Sequence, residues 1–125
     1  MMENGKSKAG VTFSHPSEAE FARILDFYQI AWEYEPRTFI LHQDDQGHVI
    51  EAFSPDFYLP EQDLYIELTT MEQRLITKKH RKLRRLRELY PEINIKLLNR
   101  ADFKQMMVKY ELDNNDELIG PRTAP

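Results

Sequence analysis

The chain has 125 residues, of which 41% are hydrophobic, 30% are charged and none is cysteine. This composition is typical of one globular domain, and the lack of cysteine excludes disulfides, thiolate zinc sites and a cysteine nucleophile. No apolar run approaches the ~18 residues of a transmembrane helix, and the polar start contains no secretory signal. We therefore expect a cytoplasmic protein with no membrane partner.

The net charge is −4, but the charges are unevenly distributed along the chain. The segment from Gln73 to Arg87 contains no acidic residue. Its cations are Arg74, Lys78, Lys79, Arg81, Lys82, Arg84, Arg85 and Arg87. Because salt screens charges beyond about 8–10 Å, this local excess matters more than the sum. A strongly basic segment on a mildly acidic body is compatible with nucleic-acid binding.

The hydrophobic pattern predicts the order helix, three strands, helix, strand, helix. The first helix covers residues 17–29, with Ser17 and Glu20 as a capping box. The other predicted elements are strands at 32–41, 48–58 and 64–69, a helix from Thr77 to Tyr90, a strand at 93–98, and a helix from Asp102 to about 110. We predict an α/β (α+β) fold with a mixed sheet, between a flexible leader (residues 1–13) and a polar tail (111–125).

Two carboxylates are predicted to face each other across neighbouring strands. A turn centred between Glu61 and Gln62 pairs Asp56 with Glu67, and strand alternation puts both on one face. Cβ atoms of directly opposite residues lie about 4.5–5.5 Å apart, where like charges are destabilising. A divalent cation would remove the repulsion and could activate water against a phosphodiester. A register slip, or an ion pair with a basic side chain, would make the metal unnecessary.

The sequence resembles a known nuclease signature at this hairpin. Segment Ser54–Phe57 (Ser-Pro-Asp-Phe) followed by Tyr65–Thr69 (Tyr-Ile-Glu-Leu-Thr) is similar to the Pro-Asp…(Asp/Glu)-x-Lys motif of the PD-(D/E)XK nuclease superfamily. The preceding helix with Glu20 and the segment Trp32–Pro36 are similar to resolvase-like members and transposon-end endonucleases. The resemblance covers residues 14–110. It implies a restriction-endonuclease-like αβββαβ core with a C-terminal helix. Tyr65–Met71 and the basic helix also resemble an uncharacterised segment of chains named hypoxanthine phosphoribosyltransferases.

The resemblance implies specific roles for the residues that match the motif. Asp56 and Glu67 would bind Mg²⁺ or Mn²⁺, with Glu20 contributing directly or through water. The motif lysine, which stabilises developing negative charge, is replaced by Thr69. We expect Lys79, on the apolar side of the basic helix, to replace it. The cations expected to bind nucleic acid are Lys78, Arg81, Lys82, Arg84 and Arg85.

Our leading hypothesis is a metal-dependent endonuclease-like domain that acts on nucleic acid, with DNA as the expected substrate. Thr69 supports one alternative, a catalytically inactive nuclease fold that only binds nucleic acid. The second resemblance supports another, an accessory domain for a partner enzyme of nucleotide metabolism. A domain of this size covers little of a duplex, so a homodimer is a plausible partner arrangement for double-strand cleavage.

Overall fold

The computed structural model describes residues 10–69, 73–102 and 104–105, and the side chains at 73 and 74 are outside this description. The helices are α1 (Pro16–Phe27) and α2 (Gln73–Leu89). The strands are β1 (Glu33–Tyr34), β2 (Phe39–Gln43), β3 (Val49–Phe53), β4 (Phe57–Leu59), β5 (Leu64–Leu68) and β6 (Ile95–Leu98). Residues 100–102, 104 and 105 are also helical. The rest of the helix predicted up to residue 110, and the predicted tail, lie outside the described residues.

The strands form a four-stranded mixed sheet and a separate two-stranded hairpin. The sheet has the order β1-β4-β5-β6, and β5 and β6 are its parallel pair. The hairpin consists of β2 and β3. The prediction of a mixed α/β fold is therefore confirmed. The prediction of a strand at 64–69 is confirmed by β5, but the first two predicted strands were wrong, because each divides into a sheet strand and a hairpin strand.

Local backbone geometry explains these divisions. Glu35 directly follows β1 and has a φ of 45°, a left-handed conformation that ends the extended strand. Its successor Pro36 has no N–H to donate to a strand ladder. In the second predicted strand, Pro55 separates β3 from β4. The isolated prolines in otherwise strand-like segments therefore mark the boundaries between the sheet and the hairpin.

Both helices begin at residues that differ from the predicted ones. His15 is the N-cap of α1 and makes no side-chain cap hydrogen bond, and Pro16 occupies the first turn. Ser17 is therefore inside the helix, and the predicted capping box was wrong. Proline suits the first turn because the N–H that it lacks would have no helical partner there. Helix α2 begins at Gln73 rather than Thr77, and ends before Pro91 as predicted.

The sheet is covered on both faces. Residues of β4 and β5 that point to one face, including Phe57 and Ile66, pack with Phe21 and Leu25 of α1. On the other face Tyr65 belongs to a second cluster. That cluster also contains Phe39, Leu41, Phe53, Leu83, Leu86 and Ile95. Helix α2 and the hairpin therefore pack together on the face that carries the odd-numbered residues of β5.

The chain before α1 also contributes to the core. Val11 and Phe13 lie in the predicted leader, yet both pack against the α1 cluster. The Phe13 ring lies 4.9 Å from the Tyr34 ring and 5.9 Å from the Trp32 ring, measured between centroids. Residues 1–9, which form most of the predicted leader, lie outside the described residues.

Candidate active site

The pairing of β4 and β5 brings the two predicted metal ligands together. Tyr58 is paired with Tyr65, and Phe57 is paired with Ile66, in the register that the sequence predicts. One further step along this register places Asp56 opposite Glu67. The register slip that we considered as an alternative therefore does not occur.

Asp56 and Glu67 each bind the backbone beside the other. The Asp56 amide donates to Glu67 Oε1 at 3.2 Å, and the Leu68 amide donates to Asp56 Oδ2 at 2.9 Å. Only 8% of Asp56 and 6% of Glu67 is exposed. Two buried acids on adjacent strands, each bound to the backbone next to the other, would repel each other if both were ionised. A proton or a cation must therefore accompany the pair.

Lys79 supplies one such cation. Its ammonium lies 2.9 Å from Glu67 Oε2 and donates to the Leu68 carbonyl oxygen at 2.6 Å. Lys79 belongs to the buried side of α2, and its helical spacing aligns it with Leu83 and Leu86. Lys79 and Glu67 therefore form an ion pair. Such a pair was the second alternative to a metal site. The lysine that we expected to replace the motif lysine reaches the predicted site.

Burial changes the protonation of both carboxyl groups. Burial, followed by the negative charge of Glu67, raises the pKa of Asp56 to about 8, although the Leu68 amide acts in the opposite direction. Burial also raises the pKa of Glu67, and Lys79 opposes this rise. In the absence of a metal, the fold thus favours the neutral form of Asp56. A cation that displaced its proton would bind more tightly as the pH increased.

The buried carboxylate of α1 is Glu18 rather than Glu20. Glu20 contacts Arg100, with the guanidinium 2.8 Å from its carboxylate. Glu18 is 8% exposed, and after the larger effect of burial its charge also raises the pKa of Asp56 and Glu67. The prediction of Ser17 as the N-cap points to Glu20 instead of Glu18. With Pro16 as the first helical residue, Glu18 becomes the third, which is the capping-box position.

Three buried carboxylates thus differ in how their oxygens are bound. Glu18 Oε1 accepts the Tyr34 hydroxyl at 2.7 Å and the Ser14 amide at 3.0 Å. Among the described residues, none donates to Glu18 Oε2 or to Asp56 Oδ1. Glu67 uses both oxygens, one for an amide and one for Lys79. As far as the described residues extend, two buried acceptor oxygens therefore remain for a cation or for water.

The donor set suits a hard divalent cation that retains water. Within the part of the chain that the structure describes, no group of three or more acidic or histidine side chains is arranged to hold a metal ion. Mg²⁺, however, commonly uses one or two carboxylates, with water and substrate phosphate as its other ligands. Asp56, Glu67 and the Leu68 carbonyl provide oxygen donors of this kind. They fit Mg²⁺ or Mn²⁺ better than a softer metal.

Some of the arginines of α2 stabilise the fold. Arg81 contacts Glu51 of β3 at 3.2 Å, and Arg85 donates to the Leu41 carbonyl oxygen of β2 at 3.1 Å. Arg87 donates to the Ile95 carbonyl oxygen of β6 at 3.2 Å. These arginines attach α2 to the hairpin and to β6, so Arg81 and Arg85 have structural partners besides the predicted nucleic acid.

Three other predicted cations have no such attachment. Lys78 and Arg84 are exposed and Lys82 is half-buried, and none pairs with an acidic group of the described residues. Lys78 and Lys82 are one helical turn apart and lie on either side of Lys79 in sequence, whereas Arg84 lies about 200° around the helix from Lys82. The side chain of Arg74 lies outside the described residues.

Comparisons with known proteins do not assign this site. The chain matches no protein-family model, and neither curated proteins nor solved structures give a significant match. In the described residues, neither helix combines the length and apolar character needed to cross a membrane. The case for a function therefore depends on the geometry of the residues themselves.

Proposed function

We propose that this protein is a Mg²⁺- or Mn²⁺-dependent nuclease domain with a restriction-endonuclease-like core, acting on nucleic acid and most readily on DNA. The observation that carries the proposal is the convergence of Asp56, Glu67 and Lys79. Two buried carboxylates face each other across the pair of β4 and β5, and a lysine from α2 contacts one of them at 2.9 Å. Such a group of opposed charges in a partly buried site suits phosphodiester chemistry.

The order of the elements supports the same proposal. The acids lie on an antiparallel strand pair, a helix follows, and a strand returns parallel to β5. This arrangement agrees with the αβββαβ order implied by the resemblance, once the hairpin is counted as an insertion between β1 and β4.

Each side chain has a distinct role in the proposed reaction. Asp56 and Glu67, with the Leu68 carbonyl, would hold the metal, which when bound polarises a phosphodiester and acidifies water. Lys79 stabilises negative charge that develops on the phosphate, the role of the lysine missing at Thr69. Glu18 contributes negative charge from α1, the role that we had assigned to Glu20. Lys78 and Lys82 contact the phosphate backbone beside the site.

Cleavage assays with matched variants test the proposal. Purified protein is incubated with single-stranded, duplex and branched DNA and with RNA, in Mg²⁺, in Mn²⁺ and in EDTA. We expect metal-dependent cleavage that falls at least 100-fold in Asp56→Asn and Glu67→Gln, because each removes a metal ligand. Glu61→Gln is the control, since Glu61 lies in the exposed turn between β4 and β5. Equal cleavage by all variants, or cleavage in EDTA, would refute the proposal.

The Lys79 contact also favours a second candidate, a nucleic-acid-binding protein with no catalysis. An ammonium that already occupies Glu67 Oε2 and the Leu68 carbonyl oxygen neutralises the site without a metal. This candidate predicts salt-sensitive nucleic-acid binding, no cleavage, and no increase in melting temperature with Mn²⁺. The nuclease predicts an increase, because a ligand that binds the native state stabilises it.

A further inference from the structure

The hairpin of β2 and β3 is attached along α2, and β2 runs in the opposite direction to the helix. The Tyr90 hydroxyl, next to the end of α2, donates to the Ile40 carbonyl oxygen at 3.2 Å. Earlier in the helix, Arg85 donates to the carbonyl oxygen of the next hairpin residue, Leu41, at 3.1 Å. A step toward the start of α2 therefore corresponds to a step toward the turn of the hairpin.

A third contact continues this order. Arg81 lies 3.2 Å from Glu51, which is paired with His42. Only a short piece of each strand then remains before the connecting turn at residues 44–48. The turn consequently points toward the start of α2, which is the end of the helix that carries Lys78.

Two cations of α2 lie on the same side of the helix as the hairpin. Successive helical residues are rotated by about 100°, so Lys78 lies about 20° and Lys82 about 60° around the axis from Arg85. As far as the structure describes the chain, neither lysine pairs with an acid. Lys78 also precedes Lys79, which contacts Glu67 of the candidate site. A nucleic acid held by these lysines at the site would therefore lie against the hairpin.

The turn is held in one conformation although all of its residues are exposed. Asp44 Oδ1 accepts the Gln46 amide at 2.9 Å and the His48 amide at 2.8 Å, and Asp44 Oδ2 lies 3.0 Å from His48 Nδ1. The Asp44 carboxylate is thus engaged within the turn. The Gln46 side chain, in contrast, has no partner among the described residues. Binding through this turn would cost little conformational entropy, because the turn is already ordered.

The shape and chemistry of this end of the hairpin suit a nucleic-acid groove. A two-stranded β-ribbon fits the major groove of DNA, which is about 12 Å wide, and glutamine side chains bind base edges there. Val49 and Ile50, which follow the turn, are 52% and 67% exposed, and apolar side chains can contact thymine methyl groups in the same groove. The exposed carboxylate of Asp45 disfavours contact with phosphate, but it can accept a bond from the cytosine amino group.

We propose that the turn between β2 and β3 enters the major groove of duplex DNA bound at the candidate site, with Gln46 in contact with base edges. This inference rests on the proposed function and names duplex DNA as the substrate class. Lys78 and Lys82 hold the phosphates beside the groove, and the turn supplies sequence preference. An RNA duplex is a poorer partner, because its major groove is too deep and narrow for side chains to reach the bases.

Charge changes in two matched turns test the position of the duplex. Gln46 and Gln62 are both exposed turn glutamines. Gln62 precedes β5, whereas Lys79 contacts Leu68 at the other end of that strand. Fluorescent DNA duplex, single-stranded DNA and RNA duplex are titrated in EDTA at several salt concentrations. Gln46→Lys should increase the dependence of log affinity for the DNA duplex on log salt by about 0.9, and Gln62→Lys should leave it unchanged.

A pool of DNA duplexes with randomised sequence tests the contact with bases. The fraction bound by the wild type should be enriched in a base pattern, and Gln46→Ala should lose the preference at one position of that pattern. Gln62→Ala is the control and should keep the whole pattern. Because the lost contact is neutral, Gln46→Ala should also retain the salt dependence of the wild type.

Each outcome bears on either the hairpin or the nuclease. Equal salt dependence in Gln46→Lys and Gln62→Lys, or no enriched pattern in the wild type, would overturn this inference, and metal-dependent cleavage would leave the proposed function intact. Tighter binding of the RNA duplex or of the single strand than of the DNA duplex would also overturn it. The predicted effects of Gln46 without any cleavage would support the groove contact and refute the nuclease. If the wild type binds no nucleic acid, both fail.

Discussion

The Lys79 ammonium, which extends from α2, lies 2.9 Å from Oε2 of Glu67 on β5. The motif position, directly after β5, is occupied by Thr69. Leu83 and Leu86 are fully buried on the same side of α2, so packing of the helix fixes the approach of the lysine. A cation from a neighbouring element thus lies against the carboxylate of Glu67.

This contact predicts that a lysine at position 69 can take over part of the role of Lys79. Lys79→Gln should reduce metal-dependent cleavage at least 100-fold, because removal of a preorganised charge costs about 3–4 kcal/mol in the transition state. Adding Thr69→Lys to that variant should restore part of the activity, since Thr69 directly follows β5 and lies two residues after Glu67. Single-turnover cleavage rates are the measurement.

Lys96→Gln is the control for this exchange, because Lys96 is exposed on β6. Full activity in Lys79→Gln would show that the ion pair is structural. A double variant that folds and binds nucleic acid as well as the wild type but stays inactive would exclude the strand position as a substitute.

Asp56 makes the stability of the metal-free protein depend on pH. Its pKa is 3.8 in an ordinary environment and about 8 in the fold, mainly because of burial, so the folded state binds the proton more tightly. The stabilisation by neutral Asp56 is complete below pH 3.8 and is lost as the pH rises through about 8, by up to about 1.4 kcal/mol per pH unit. Asp56→Asn keeps an acceptor for the Leu68 amide without ionising.

Urea denaturation at several values between about pH 5.5 and pH 8.5 measures this effect. We expect Asp56→Asn to gain stability over the wild type as the pH increases. Asp45→Asn, in the exposed turn of the hairpin, should follow the wild type at each pH. Parallel profiles for wild type and Asp56→Asn would contradict the raised pKa.

The basic residues of α2 should fall into two groups, one that stabilises the fold and one that binds nucleic acid. Lys78→Gln and Lys82→Gln should each reduce the dependence of log affinity on log salt by about 0.9, with little change in melting temperature. Arg85→Gln should instead lower the free energy of unfolding by about 1 kcal/mol, because it loses the bond to the Leu41 carbonyl oxygen, and leave the salt dependence unchanged.

Titrations of a fluorescent duplex at several salt concentrations, in EDTA to prevent cleavage, measure these slopes. Arg84→Gln is the control for an exposed cation on the other side of the helix, and should change the slope least. A loss of slope in Arg85→Gln equal to that in Lys82→Gln would contradict the division.

The contact of α2 with the sheet should account for much of the stability. Leu86→Ala removes a fully buried side chain and should cost about 2–5 kcal/mol of unfolding free energy. Leu89→Ala, whose leucine is 41% exposed three residues later, should change it by less than about 0.5 kcal/mol. Chemical denaturation compares the two, and similar losses would show that this face of α2 does not pack on the sheet.

The sequence could predict those features that depend on local pattern. Alternation and the turn at Glu61 and Gln62 were sufficient for the register of β4 and β5, because a shift of one residue would expose Phe57 and Ile66. The facing of Asp56 and Glu67 follows directly from this register. The position of Lys79 on the apolar side of α2 follows from helical periodicity in the same way.

Features that depend on contacts between distant segments could not be read from the pattern. The first two predicted strands are continuous in β propensity, and only packing separates their ends into the sheet and the hairpin. Glu18 and Glu20 both lie in the first turns of α1. The sheet buries Glu18 beside Tyr34, while Arg100 binds Glu20.

The amino-acid sequence by itself therefore determined which residues alternate, which helical side is apolar and which carboxylates share a strand pair, because these depend on neighbours along the chain. The tertiary structure alone decided which carboxylate of α1 is buried beside Tyr34 and which arginines attach α2 to the hairpin. Burial and hydrogen bonding to distant residues set those choices, and neither has a periodic signal in the chain.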